Sequence, residues 1–184
     1  VYGFLGANGD GKRTRMCLLT GLTQPSAGTV TICGFSIDNR RELTSRVGYL
    51  PETPSLHAEF TAREQLEYVA DFRDIPPDVA DTRISDYLGQ FDLVADGNKR
   101  ISSYSKGMKQ KTAFIQSVLH DPDVLFLDEP TSGLDPRAAR QLRTSISAFT
   151  DAGMTVFLST HTLPVVDSVA DEVGVLFDGQ LVAE

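Results

Sequence analysis

The chain has 184 residues, 41% apolar and 23% charged, with a formal net charge of −8. That length accommodates one domain with a sizeable core, and the composition is that of an ordinary globular protein. The acidic balance weighs against a protein that coats nucleic acid or an anionic membrane, and no apolar run approaches the roughly 20 residues that span a bilayer.

Residues 1–5 form a short apolar run that ends at glycine, the pattern of a buried strand. A short helix is expected over 12–21, with Met16, Leu18 and Leu19 as its apolar residues. "QPSAG" reads as a turn, and the β-branched alternation of "TVTIC" predicts a strand over 29–33. "RVGYLPE" is a further strand, broken by Pro51. The two cysteines, Cys17 and Cys33, lack metal-type spacing and read as reduced core thiols.

The middle of the chain is helical. Thr61 followed three residues later by Glu64 is a capping box, and Leu66, Val69, Ala70 and Phe72 supply the stripe behind it. A second helix is expected over 76–93, with Pro77 in its first turn, and a third over 106–120. Strands and helices then alternate: strand 123–129, helix 136–149, strand 154–160, helix 163–170 and strand 172–177. A turn at Asp178-Gly179 leads to a last strand, "QLV". Buried strands alternating with helices imply a mostly parallel sheet covered on both faces, with the helical middle inserted into it. Both ends of the sequence read as strands already under way, so the expectation is a fragment whose first strands lie outside it.

Two stretches carry chemistry. "GANGDGKR" (Gly6, Ala7, Asn8, Gly9, Asp10, Gly11, Lys12, Arg13) nearly spells the phosphate-cradle pattern G-x-x-x-x-G-K-[ST]. A glycine turn between strand and helix exposes backbone N–H groups to a polyphosphate, and Lys12 would reach its outer phosphates. A chance glycine turn with a surface lysine is the competing reading, and the flanking strand and helix weigh against it. "VLFLDE" ends an apolar strand with Asp128 and Glu129, at the sheet edge where parallel α/β folds bind ligands. Asp128 is placed to hold magnesium through water and Glu129 to polarise an attacking water. A polar pair that merely caps a core strand is the alternative.

Taken together, the motifs resemble the ATP-binding subunits of ABC transporters along essentially the whole chain. "GANGDGKR" looks like Walker A, "GYLPE" like the Q-loop with Glu52 at the glutamine position, and "YSKGMKQK" like the signature motif with Ser105 and Gly107. "VLFLDEP" looks like Walker B, "SGLDP" with Asp135 like the D-loop, and "LSTH" carries His161 at the switch-histidine position. Glu52 together with the signature lysine resembles the drug-export and gliding-type bacterial branch.

The resemblance implies an α/β P-loop NTPase (RecA-like) core formed by residues 1–54 and 119–184, with an inserted helical subdomain over 55–118. It implies ATP and Mg2+ as cofactors, with Asp128 and Glu52 near the metal, Glu129, His161 and Lys12 catalytic, and a nucleotide shared with a second ATP-binding subunit through Ser105 and Gly107. The partner would be a separate transmembrane permease, the location the cytoplasmic face of the membrane, and no nucleic acid is expected. The family's adenine-stacking aromatic lies upstream of the phosphate loop, and Tyr2 is too close to the loop to be it. A ribosome- or DNA-associated ATPase of the same superfamily, or a catalytically idle ATP clamp, are the other classes.

Arg13 departs from the pattern. The family places a magnesium-ligating hydroxyl there, and a guanidinium has no lone pair to offer a cation. Thr14 matches a second family hydroxyl but projects roughly 100° around the helix. Arg13 could lie against phosphate oxygens or pair with Asp10. Three readings follow: ATP binding with slowed hydrolysis, adjusted metal ligation by Asp128 and Glu52, or an accident of this chain.

Overall fold

The computed structural model describes residues 1–7 and 9–184. In chain order the elements are β1 (Tyr2–Leu5), α1 (Lys12–Leu19), β2 (Thr31–Ile32), β3 (Phe35–Ser36), α2 (Arg40–Arg46), β4 (Val47–Leu50), α3 (Ala62–Phe72), α4 (Pro77–Gln90), a 3-10 turn (Ile101–Ser103) and α5 (Lys106–Val118). They continue with β5 (Val124–Asp128), α6 (Pro136–Asp151), β6 (Thr155–Thr160), α7 (Leu163–Val169), β7 (Glu172–Phe177) and β8 (Gln180–Ala183). The residues divide into two compact units, one of Val1–Glu52, Pro122–Pro130 and Arg143–Glu184, the other of Thr53–Asp121 and Thr131–Leu142.

The first unit is built on a six-stranded sheet in the order β4-β5-β6-β1-β7-β8, parallel except for the terminal β7–β8 pair. All five residues of β5 are buried, as expected of a strand covered on both faces. Period-2 side-chain alternation brings aromatic rings from three adjacent strands onto one face. Phe157 of β6 packs 5.3 Å from Phe126 of β5, 5.3 Å from Tyr2 of β1 and 6.0 Å from Phe4. Met16 of α1, Leu43 of α2 and Leu176 of β7 close this core. The register pairs Leu5 with Thr160 and Asp128 with Ser159, so β1, β5 and β6 finish side by side at one edge.

The second unit is helical. The Thr61 hydroxyl accepts from the Glu64 N–H at 3.1 Å, and the Glu64 carboxylate accepts from the Thr61 N–H at 2.7 Å, completing the capping box. Those hydrogen bonds, the backbone one first, hold the Glu64 carboxyl below its usual range. Ala62, Leu66 and Ala70 of α3 and Ala80, Ile84 and Leu88 of α4 are buried at fourfold spacing, the apolar stripe that holds amphipathic helices together. Phe91 and Phe114 meet at 5.5 Å, and the Tyr104 hydroxyl donates to the Asp96 carbonyl at 2.6 Å. Among the described residues no helix is long and apolar enough to cross a membrane.

Two expectations change, and one helix appears where none was expected. The strand expected over 29–33 is only β2, because Cys33 and Gly34 turn the chain into β3 with φ of 51° and 80°. Positive φ at both central residues is the twist a type I′ hairpin requires. Cys33 is therefore exposed at a turn rather than a core thiol, whereas Cys17 is half-buried. The helix α2 was not anticipated, since "RRELTSR" buries only Leu43 and presents no apolar stripe.

Phe126→Ala should cost about 3–5 kcal/mol by opening a cavity in the core on the aromatic face of the sheet. Thr61→Ala should cost about 1 kcal/mol through loss of the cap. Urea unfolding of each variant, compared at unchanged m-value, measures both.

Candidate functional site

The loop between β1 and α1 is shaped by local sterics. Gly6 passes so close to β7 that an added Cβ would stand 2.8 Å from the Leu176 carbonyl oxygen. Gly11 precedes α1 at φ 84°, a left-handed position that favours glycine, and no side chain caps the helix. The first intrahelical bond is Arg15 N–H to the Gly11 carbonyl at 3.0 Å. The amides of Lys12, Arg13 and Thr14 thus have no intrahelical acceptor, and the positive end of the helix dipole favours an anion there.

Asp10 braces this loop. Its carboxylate accepts from the Ala7 N–H at 2.7 Å and from the Asp178 N–H at 3.3 Å, so the pairing with Arg13 considered from the sequence is not formed. Arg15 donates to the Gly179 carbonyl at 2.7 Å, tying α1 to the same β7–β8 turn. The buried Lys12 ammonium donates to the carbonyls of Gly6 and Ala7 at 2.7 and 2.9 Å. Asn8 lies outside the described residues.

The facing wall comes from β5 and β6. Asp128 is buried, and its Oδ1 accepts from the Ser159 hydroxyl. Its Oδ2 is also buried and has no hydrogen-bond partner among the described residues. An unpartnered buried carboxylate oxygen is costly, and a cation or water would satisfy it. Glu129 follows at φ 49°, in the left-handed region. Its N–H donates to the Ser159 carbonyl at 3.0 Å. Its carboxylate accepts from the Thr160 hydroxyl at 3.1 Å, from the His161 N–H at 2.9 Å and meets His161 Nδ1 at 2.7 Å. A carboxylate opposite Nδ1 requires the proton on that nitrogen and leaves Nε2 as the ring's outer atom.

These walls enclose an open cavity of about 360 Å3. Gly9, Gly11, Lys12, Arg13 and Thr14 line one side, and Glu52, Asp128 and Glu129 the other. His161 is not in the lining and reaches the cavity through Glu129. Burial pushes the Tyr49 hydroxyl up to about 12; the Asp128 charge adds to that rise and Arg13 opposes it. The roles of Ser159, Thr160 and Asp10 as anchors were not anticipated. Two hydroxyls ending an apolar strand in "LSTH" are the signal that could have drawn attention to the first two.

Ser105, Gly107 and Asp135 lie in the second unit. Ser105 caps α5, its hydroxyl accepting from the Met108 N–H at 3.3 Å. Gly107 has ordinary open space where a Cβ would be, with no atom nearer than 3.9 Å. Asp135 accepts from the N–H groups of Ala138 and Arg137 at 2.9 and 3.0 Å, which hold its carboxyl below the usual range.

A magnesium ion is only partly accommodated. Asp128 Oδ2 and Glu52 are suitable hard oxygen donors. Arg13 lies in the same lining, and its guanidinium has no lone pair with which to ligate a cation.

A family model described as ABC transporter matches residues 1–132. The chain is 40% identical to an uncharacterized ABC transporter ATP-binding protein of Nostoc sp., over 99% of this chain and 55% of that protein. It is 36% identical to the bacitracin transport ATP-binding protein of Bacillus licheniformis, over 100% of this chain and 60% of the relative. The chain thus spans little more than half the length of these curated relatives. A solved structure described as the ATP-binding subunit of an ABC transporter superposes with a TM-score of 0.91 at 31% identity, covering 99% of this chain and 76% of that one. With the family match running through the loop before α1, the helical segment, Asp128 at the end of β5 and Glu129 just after it, the chain belongs to the ABC transporter family.

Proposed function

We propose that this chain is the ATP-binding and ATP-hydrolysing part of an ABC-type exporter, with hydrolysis slowed by Arg13. The observation that carries the reading is the convergence of an uncapped helix N-terminus and the carboxylates of Asp128 and Glu129 on one cavity. The similarity to a bacitracin transport ATP-binding protein supports a role in transport, and similarity to a Nod factor export ATP-binding protein of Burkholderia lata supports export. The amides of the phosphate loop and α1, together with Lys12, would grip the polyphosphate. Asp128 and Glu52 are the carboxylates that magnesium carried in by ATP would meet.

In the reaction, water oxygen bonds to the γ-phosphorus as the bond to the β–γ bridging oxygen breaks. Glu129 would take the proton from that water, and His161, held by Glu129 through Nδ1, would turn Nε2 to a phosphate oxygen. Residues 55–118 would form the helical subdomain between the two core segments, 1–54 and 119–184. Ser105, Gly107 and Asp135 would serve the nucleotide of a second ATP-binding subunit, and a separate transmembrane permease would hold the pair at the cytoplasmic face of the membrane. Net charge of −8 supports a partner other than nucleic acid. Arg13 also favours a second reading, an ATP-holding clamp whose partner subunit performs the chemistry.

Glu129→Gln in the full-length protein should lower ATP turnover about 100-fold or more while ATP binding persists, because a positioned base typically supplies that factor. Arg13→Thr should raise turnover about tenfold or more at saturating magnesium with the partner present, a barrier change of about 1.4 kcal/mol. Turnover that stays undetectable in the native protein with its partner present would select the clamp. Co-purification with a polytopic membrane protein tests the exporter assignment, and co-purification with ribosomes would replace it.

A further inference from the structure

We infer that Asp10 is a positioning residue for the nucleotide: it clasps the loop before α1 to the β7–β8 turn, and closing this clasp and binding ATP favour one another. This role rests on the nucleotide-binding reading above and concerns what fixes the loop's shape before the ligand arrives.

The clasp has two halves far apart in sequence. Phe177 pairs with Gln180, which leaves Asp178 and Gly179 as a two-residue turn with φ of 46° and 74°, the twist of a type I′ hairpin. The Asp178 N–H and the Gly179 carbonyl lie outside the strand ladder, and the opposite side takes both. Asp10 Oδ1 accepts from the Asp178 N–H at 3.3 Å, and Arg15 donates to the Gly179 carbonyl at 2.7 Å. Within the loop, Asp10 Oδ2 accepts from the Ala7 N–H at 2.7 Å, while the Asp10 N–H donates to the Ala7 carbonyl at 3.3 Å. One carboxylate therefore closes the turn over residues 7–10 and fastens it to the hairpin. Gly6 permits the close approach to Leu176 beside it.

Asp10 acts from behind the site. Gly9, Gly11 and Lys12 on either side of it line the cavity, and Asp10 does not. Two effects of its carboxylate then oppose each other. Its negative charge repels a polyphosphate held nearby. Its two hydrogen bonds keep the loop in one shape, so less conformational freedom is lost when the ligand binds. The positioning role requires the second effect to be the larger. Asparagine separates them, because it removes the charge but offers a single acceptor oxygen, and its NH2 would face the other N–H. Linkage adds a reciprocal requirement: the factor by which the clasp tightens ATP binding is the factor by which ATP stabilises the clasp.

The test combines calorimetry of ATP binding to the full-length protein in magnesium with amide hydrogen exchange at Asp178, with and without ATP. Asp10→Asn should weaken ATP binding by about fivefold or more, and in turnover should raise KM by the same factor while leaving kcat within about twofold. In the native protein ATP should slow exchange at Asp178 by about fivefold or more, and in Asp10→Asn it should not. A variant that binds ATP as tightly as the native protein or more tightly, or that loses only kcat, overturns the inference. Exchange at Asp178 that is the same with and without ATP in the native protein also overturns it, leaves the nucleotide reading standing, and decides the matter even if the variant does not fold. A native protein that binds no ATP overturns both.

Discussion

The site depends on one constraint, the parallel register of β6 between β1 and β5. Leu5 lies opposite Thr160, and Ser159 lies opposite Asp128. The phosphate loop begins where the first pair ends, and the carboxylates emerge where the second ends. Ser159 and Thr160 face opposite sides of β6, and Ser159 meets Asp128 while Thr160 meets Glu129 just past the end of β5. A slip of one residue would exchange these faces and leave both acids without partners.

The position of Glu129 adds a second requirement. A non-glycine residue in the left-handed region costs on the order of 1–3 kcal/mol, and here it redirects the side chain just past the strand end. Its own N–H and its carboxylate are held by four contacts from residues 159–161. The strain and the hydrogen bonds are thus parts of one arrangement. Strand β6 sets the backbone, and its last two residues and His161 set the acid.

Arg13 illustrates how one side chain can change a site without changing its fold. It is exposed on the first turn of α1, so nothing in the core objects to its size. The loop that precedes it keeps its shape through Gly6, Gly11 and the Asp10 brace. The backbone amides therefore remain available to an anion while the local charge shifts by one unit.

Much of this was legible in the sequence. Glycine and lysine spacing marked the phosphate loop, the apolar run of β5 marked a buried strand with acids at its tip, and Thr61 with Glu64 marked a helix start. Each is a local effect, resting on backbone sterics, period or capping. The Cys33-Gly34 turn and the charged helix α2 were hidden, because short elements with no apolar period leave little local signal. Strand order, register, the unpartnered Asp128 oxygen and the pairing of Glu129 with His161 came only with the tertiary structure. Parallel strands join residues far apart in sequence, and which carboxylate oxygen is left over depends on what every neighbour has already taken.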